Sequence, residues 1–457
     1  MTWPAQRPGS RAQIPHLRHV SHVGVSIVLD FLAPYPGGTA ARDLHALRPG
    51  QLKLHHLFRL ILPLLLTWVQ LLTGQTNLQT NAAPFLNFRQ GANSKADSDL
   101  EDMFPTNVAE VCFGWFGPST PGDSLGGQLW CGADLAIREA NAQGGCEGRP
   151  FRLIPKWSEN PWGNGVPQIF RMVYEDQVRA LLGGIDGAST HLAEQVVAKT
   201  RLPLISPAST DASVNLAGVP WMFSCAPSDR AMAPLLAEAI LRPLKEPGDR
   251  LAVFSATDHD SRATAKELLK ALAERHRTPD FHFEFPAGEQ SFESQLSGIA
   301  GAKPGAILVI ASPEDSARLV MAVRRRSGDT AIFATHQAGR SRFRQLAGNA
   351  AEGVRFPLLW VPDKSDAVTR KFIADFKARF AREPDYAAAL SYDATRLLVA
   401  AARQGGPSRA RIREALRQLS PFRGIAGLIQ WDATGQNVRE VRRMGVIRKG
   451  QIEPEPL

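Results

Sequence analysis

Cysteine, charge of a single sign and long apolar runs are all scarce in this sequence of 457 residues. The four cysteines, Cys112, Cys131, Cys146 and Cys225, form no C-x-x-C pair, which excludes zinc-ribbon and thioredoxin-like sites. One or two disulfides remain open to an exported protein, but spacing defines no pairing. Cys112 and Cys225 lie inside apolar runs and read as small buried thiols. Lys and Arg number 53 against 44 Asp and Glu, a net charge of +9. The excess is spread out, and the longest basic run is Arg324-Arg325-Arg326. No basic stripe with interleaved aromatics is present, so a nucleic-acid partner is not expected. The glycines at 183–187 belong to neither a Walker loop nor a dinucleotide fingerprint. A G-x-S-x-G nucleophile elbow is missing as well.

What is present begins with an unusual front end. Residues 1–56 hold six of the eleven histidines and no sustained period, and read as a disordered leader or as sequence upstream of the true start. Lys53, His55, His56 and Arg59 then precede an apolar run at 60–72. A basic flank before 7–15 apolar residues has the form of an export signal. The run is short of the roughly 20 residues of a membrane-crossing helix. Residues 57–83 therefore read as a signal peptide, with an uncleaved membrane anchor through 60–72 as the alternative. Thr80-Asn81-Ala82 suits cleavage, and 84–106 reads as a polar linker.

From residue 108 on, apolar runs alternate with amphipathic stretches. Strands are expected at 109–116, 151–157, 179–183 and 202–205, with helices at 126–142, 167–176 and 192–200. The pattern restarts with strands at 251–256, 281–285, 306–311 and 331–334, and helices at 264–275, 292–299 and 316–325. Helices near 366–382, 386–404 and 408–418, two strands at 428–432 and 441–447, and a short polar tail complete the chain. Strand-helix alternation with buried strands predicts an α/β fold of two doubly wound parallel-sheet lobes. Such lobes place a ligand crevice where the carboxyl ends of their strands face each other.

Two segments stand at those strand ends. In Gly183-Gly184-Ile185-Asp186-Gly187-Ala188-Ser189-Thr190 a strand runs into a helix start, where unpaired N–H groups favour an anion; the plainer reading is that a hydroxyl caps the helix. In Ile205-Ser206-Pro207-Ala208-Ser209-Thr210 a strand exits into a Pro-broken, hydroxyl-rich loop, which is also an ordinary turn composition. Trp162 follows a strand and either covers a ligand or packs on the lobe surface. Asp258-His259-Asp260 has no histidine at ligand spacing, so neither a metal nor a cofactor is expected. Ser189 and His191 are two residues apart and cannot pair as nucleophile and base, so an enzyme is not expected.

The order of these landmarks resembles the periplasmic solute-binding proteins of branched-chain amino acid ABC transporters, the leucine/isoleucine/valine-binding family. Gly117-Pro118, Gly132-Ala133, Ala140-Asn141-Ala142 with Gly144-Gly145, Leu182-Gly183-Gly184, Leu204 through Thr210, Ala351-Glu352-Gly353-Val354 and Gly427 through Asp432 carry the resemblance, from about 108 to 448. It implies a type I two-lobed fold joined by a hinge. Lobe 1 would take 107–228 plus 358–428, and lobe 2 would take 229–357 plus 429–450. It also implies capture of an amino acid or related small polar solute and delivery to an ABC permease, with a sensing domain of a signalling system as the alternative. By that resemblance Ser189, Thr190 and Thr210 hold a carboxylate and the Ala208 carbonyl meets an ammonium. The sequence departs from the family at Gly187 beside Asp186, at Gln337, where an acid is common, and at His259, where a tyrosine is expected. Gln337 is neutral and can only hydrogen-bond a cation, so an ammonium is expected to be held less well unless Asp186 or Asp258 takes over.

Overall fold

The computed structural model describes residues 104–158, 161–246, 248–327 and 330–455. The leader at 1–56, the signal or anchor at 57–83, almost all of the linker at 84–106 and the Trp162 side chain lie outside the described residues. Among the described residues no helix is long and apolar enough to cross a membrane.

The first lobe is built from β1 (Val111–Phe116), α1 (Gly127–Ala142), β2 (Phe151–Lys156), α2 (Val166–Tyr174), β3 (Ala180–Gly183), α3 (Gly187–Thr200), β4 (Leu204–Ser206) and β5 (Met222–Ser224). Its sheet runs β2-β1-β3-β4-β5, parallel throughout. Side chains alternate across a strand. Phe113, Trp115 and Leu182 therefore face one core, while Phe116, Leu181 and Leu204 face the other.

The second lobe follows as α4 (Asp229–Leu241), β6 (Leu251–Ala256), α5 (His259–Ala273), β7 (Phe281–Phe285), α6 (Glu293–Ile299), β8 (Ala306–Ile310), α7 (Pro313–Arg326), β9 (Ala331–Ala334), α8 (Ser341–Ala347) and β10 (Arg355–Pro357). The chain then returns to the first core with α9 (Ala367–Phe380), α10 (Tyr386–Gly405) and α11 (Arg409–Gln418). Here α10 lies so close to α1 that a Cβ on Gly132 would stand 2.2 Å from the Ala388 carbonyl oxygen. A hairpin of β11 (Phe422–Gly424) and β12 (Gly427–Ile429) precedes β13 (Met444–Arg448) and β14 (Gln451–Pro454).

The second sheet runs β14-β13-β10-β9-β8-β6-β7. It is parallel from β7 to β10, but β13 and β14 join antiparallel. The tail expected after Lys449 is thus an edge strand. Its residues are mostly exposed, so it carries no apolar signal to read.

Three segments pass between the lobes: 225–228, 358–366 and 430–443. Buried Asn437 donates through Nδ2 to the Cys225 carbonyl at 2.6 Å, and Arg439 donates through Nη2 to the Leu359 carbonyl at 2.7 Å. The third crossing is thereby tied to the first two.

Two helix starts differ from the sequence expectation in a way that matters for the site. Helix α3 opens at Gly187 and α5 at His259, each a turn or more early. An aspartate caps each one. Asp186 Oδ1 accepts from the Ser189 N–H at 2.8 Å, and Asp258 Oδ1 from the Ser261 N–H at 2.9 Å.

Candidate functional site

Loops from the carboxyl ends of β3, β4, β6, β8 and β9 close around a cavity of about 130 Å³ between the two sheets. The first lobe supplies Asp186, Ala208, Ser209 and Thr210 to its wall; the second supplies Asp258, Asp260, Gln337 and Arg340. Leu125, Ile185, Ile310 and Tyr386 add apolar surface. A larger groove of about 520 Å³ runs beside Trp360 and Leu359. Chemistry, not volume, separates the two. Three buried side-chain atoms with neither a hydrogen-bond nor an ion-pair partner, Ser209 Oγ, Asp258 Oδ2 and Gln337 Oε1, belong to residues of the smaller cavity. Buried polar atoms are rarely left unpaired in a folded protein. Three around one cavity, from both lobes, single it out as the candidate site, with groups that can donate and accept.

Of the residues singled out in the sequence, Asp186, Ala208, Thr210 and Gln337 line the cavity. Ser189 and Thr190 are fully buried and turned inward. The Ser189 hydroxyl is bonded to Asp186 Oδ1, and the Thr190 hydroxyl donates to the Asp186 carbonyl oxygen at 2.5 Å, standing 3.3 Å from Ser206 Oγ. In this structure both hydroxyls, expected to meet a ligand directly, are engaged by Asp186 and shape its turn behind the wall, and neither residue lines the cavity. The anion expected at the α3 start is a carboxylate of the protein itself. Asp260 Oδ1, from the opposite lobe, accepts from the Gly187 N–H at 2.6 Å. Burial, and then the charge of Asp186, push the Asp260 carboxyl above its ordinary range.

His259 is not on the cavity wall. Its Nε2 lies 2.8 Å from Asp211 Oδ2, and His191 Nε2 lies 3.2 Å from the same oxygen. Spacing along the chain offered His259 no partner histidine; the fold brings one from α3, with ring centroids 5.5 Å apart. Asp211 and then Glu194 hold the His191 pKa up at about 9 against its burial.

Sequence reasoning missed Arg340, Ser209 and Tyr386. Arg340 is 5% exposed. Its Nη2 donates to the Leu125 carbonyl of the first lobe at 2.7 Å, and its Nε stands 3.4 Å from Asp385 Oδ2. Nothing local marks Arg340, because the partners that bury it lie far away in the chain. Ser209 Oγ has no hydrogen-bond partner, hence no base positioned to activate it.

The periplasmic binding protein family profile matches residues 111–451. An amino acid binding protein of Pseudomonas aeruginosa is 25% identical over 358 residues, covering 76% of this chain and 93% of the relative. A leucine binding protein from Thermotoga maritima shares the fold with a TM-score of 0.68 at 23% identity, over 76% of this chain and 98% of that one. A branched-chain amino acid transporter substrate binding protein from Streptococcus pneumoniae, solved in complex with isoleucine, matches with a TM-score of 0.66 at 21% identity, over 75% and 98% of the two chains. The profile spans both lobes and every loop that walls the cavity, and this chain belongs to the periplasmic binding protein family.

Proposed function

We propose that this protein is the extracytoplasmic solute receptor of an ABC transporter. It captures an amino acid or a related small polar carboxylate or amide between its lobes and delivers it to a membrane permease. The observation that carries this reading is the set of three unpartnered buried polar atoms, Ser209 Oγ, Asp258 Oδ2 and Gln337 Oε1, around the interlobe cavity. The names of the relatives, amino acid binding and leucine binding, support it. The protein captures its ligand and does not transform it.

Within the cavity, Ser209 Oγ–H offers a donor to a carboxylate, and the Arg340 guanidinium, held by Asp385, adds its positive charge. Asp258 Oδ2 accepts an ammonium through a charge-assisted bond, stronger than the neutral one Gln337 Oε1 offers. Asp186, Ala208 and Thr210 complete the first-lobe wall, with Ser189 and Thr190 positioning Asp186. Export follows from the 57–83 segment, and mass spectrometry of the mature protein should find a start near Ala83.

A thermal-shift screen against amino acids, small amides and carboxylates tests the receptor. Ligand at about 100 times its dissociation constant stabilises by about 2.7 kcal/mol. Protein that no solute stabilises would sink the reading. Asp258→Asn should weaken an ammonium-bearing ligand by about 1.5–3 kcal/mol in calorimetry, the worth of a charged hydrogen bond. An analogue lacking the ammonium should bind both forms alike.

A further inference from the structure

Beside the cavity, where the lobes meet and His259 is 41% exposed at its side chain, two imidazoles converge on one carboxylate oxygen. We propose that His191, Asp211 and His259 form a site for a divalent first-row transition ion, Zn²⁺ or a chemical neighbour, that bridges the two lobes. One donor atom from each of the three lies within 4.8 Å of the others. Tetrahedral Zn²⁺, with ligand distances of about 2.0–2.2 Å, sets its donors roughly 3.4 Å apart. The His191 Nε2 to Asp211 Oδ2 spacing of 3.2 Å is already near that value. From its 2.8 Å, His259 Nε2 has to draw back by about half an ångström.

The surroundings hold these groups in a ligating pose. Ser213 donates to Asp211 Oδ1 through its backbone N–H at 2.8 Å and its hydroxyl at 2.7 Å, leaving Oδ2 to face both rings. Glu194, only 5% exposed, stands 3.8 Å from His191 Nδ1. A carboxylate behind one ring nitrogen is the usual support for a histidine that ligates through the other. Two imidazoles and one carboxylate suit borderline ions, not Mg²⁺ or Ca²⁺, and leave one coordination position open. On binding, each Nε2 ligates without a hydrogen, so a ring that carries one there passes it to Nδ1 or to solvent, and His191 Nε2 also leaves Ser213 Oγ, 2.9 Å away.

His191 and Asp211 belong to the first lobe and His259 to the second, so the full ligand set exists only while the lobes are together. Ion affinity and lobe closure are then reciprocal. The site stands whether or not the cavity holds an amino acid. A hydrogen-bonded latch across the lobes needs only His259 on Asp211; the ion adds His191, which exchanges its 2.9 Å contact with Ser213 Oγ for the metal.

The full-length protein, stripped of metal, is titrated with Zn²⁺ by calorimetry beside His259→Gln and Asp211→Asn. The six histidines of residues 1–56 are present in all three forms, so the readout is the difference in stoichiometry. Wild type should bind one more equivalent than either variant, and its radius of gyration by small-angle scattering should fall with Zn²⁺ while that of His259→Gln does not. Equal stoichiometry in wild type and a His259→Gln protein of unchanged circular dichroism would overturn the site. Loss of the equivalent without Zn²⁺-dependent compaction would overturn the bridge. Should Asp211→Asn fail to fold, His259→Gln, altered at a partly exposed helix start, decides alone.

Discussion

Behind the cavity, Asp229 and His336 are each only 4% exposed, and His336 Nδ1 lies 3.9 Å from Asp229 Oδ1. That distance suggests an ion pair, yet both groups favour their neutral forms. Burial pushes the Asp229 carboxyl up to about 8 even though Thr264 Oγ1 donates to it at 2.8 Å. Burial, with Arg340 adding to it, pushes His336 down to about 3. The pair is better read as a protonated acid beside a neutral imidazole, since a charge without water or a close partner is costly there. The folded pKa of Asp229 lies above its ordinary 3.8, so its contribution to stability is complete in acid and lost as pH rises through about 8. Asp229→Asn should therefore lose less melting temperature than wild type between about pH 4 and pH 8. His191, held at about 9, acts in the same direction. The comparison of variant with wild type, followed by circular dichroism, carries the test, and parallel curves would refute it.

Elements make a different argument, and Gly187 shows it. At the first position of α3, a Cβ would stand 2.8 Å from Asp211 Cβ, Asp211 Oδ2 and Asp260 Oδ1. A side chain has no room here, because Asp211 of the same lobe and Asp260 of the opposite one both crowd the helix start. Taken as a helix position alone, Gly187→Ala should stabilise, by up to about 1 kcal/mol. Taken with its tertiary contacts, it should push Asp260 off the Gly187 N–H and hold the lobes apart. We expect solute affinity at least about tenfold weaker, roughly 1.4 kcal/mol, with little change in melting temperature. Unchanged affinity in calorimetry would show that the α3–Asp260 contact is not part of closure. The helix itself was legible from its apolar period and its aspartate cap. Short strands such as β5, β10 and β14, with three or four residues each, were not, because so short a run carries almost no period.

Over the whole molecule, two sheets with covered faces supply the stability, and the described cysteines add no cross-link. All four are free, and Cys131, Cys146 and Cys225 are buried. Melting temperature should be the same with and without reductant, and thiol titration of unfolded protein should find four groups; a shortfall would mean a disulfide. The sequence by itself determined the architecture of two wound lobes and the loops that face their cleft. It could do so because strand and helix periods, caps and glycine turns are local properties of neighbouring residues. It also placed Asp186, Ala208, Thr210 and Gln337 at the cavity, through their position at strand ends. Only the tertiary structure decided that Ser189 and Thr190 turn inward, that Arg340 reaches Leu125 across 215 residues of chain, and that His191 and His259 share Asp211. Those outcomes depend on how two lobes close on each other, and no spacing within one stretch of chain encodes that.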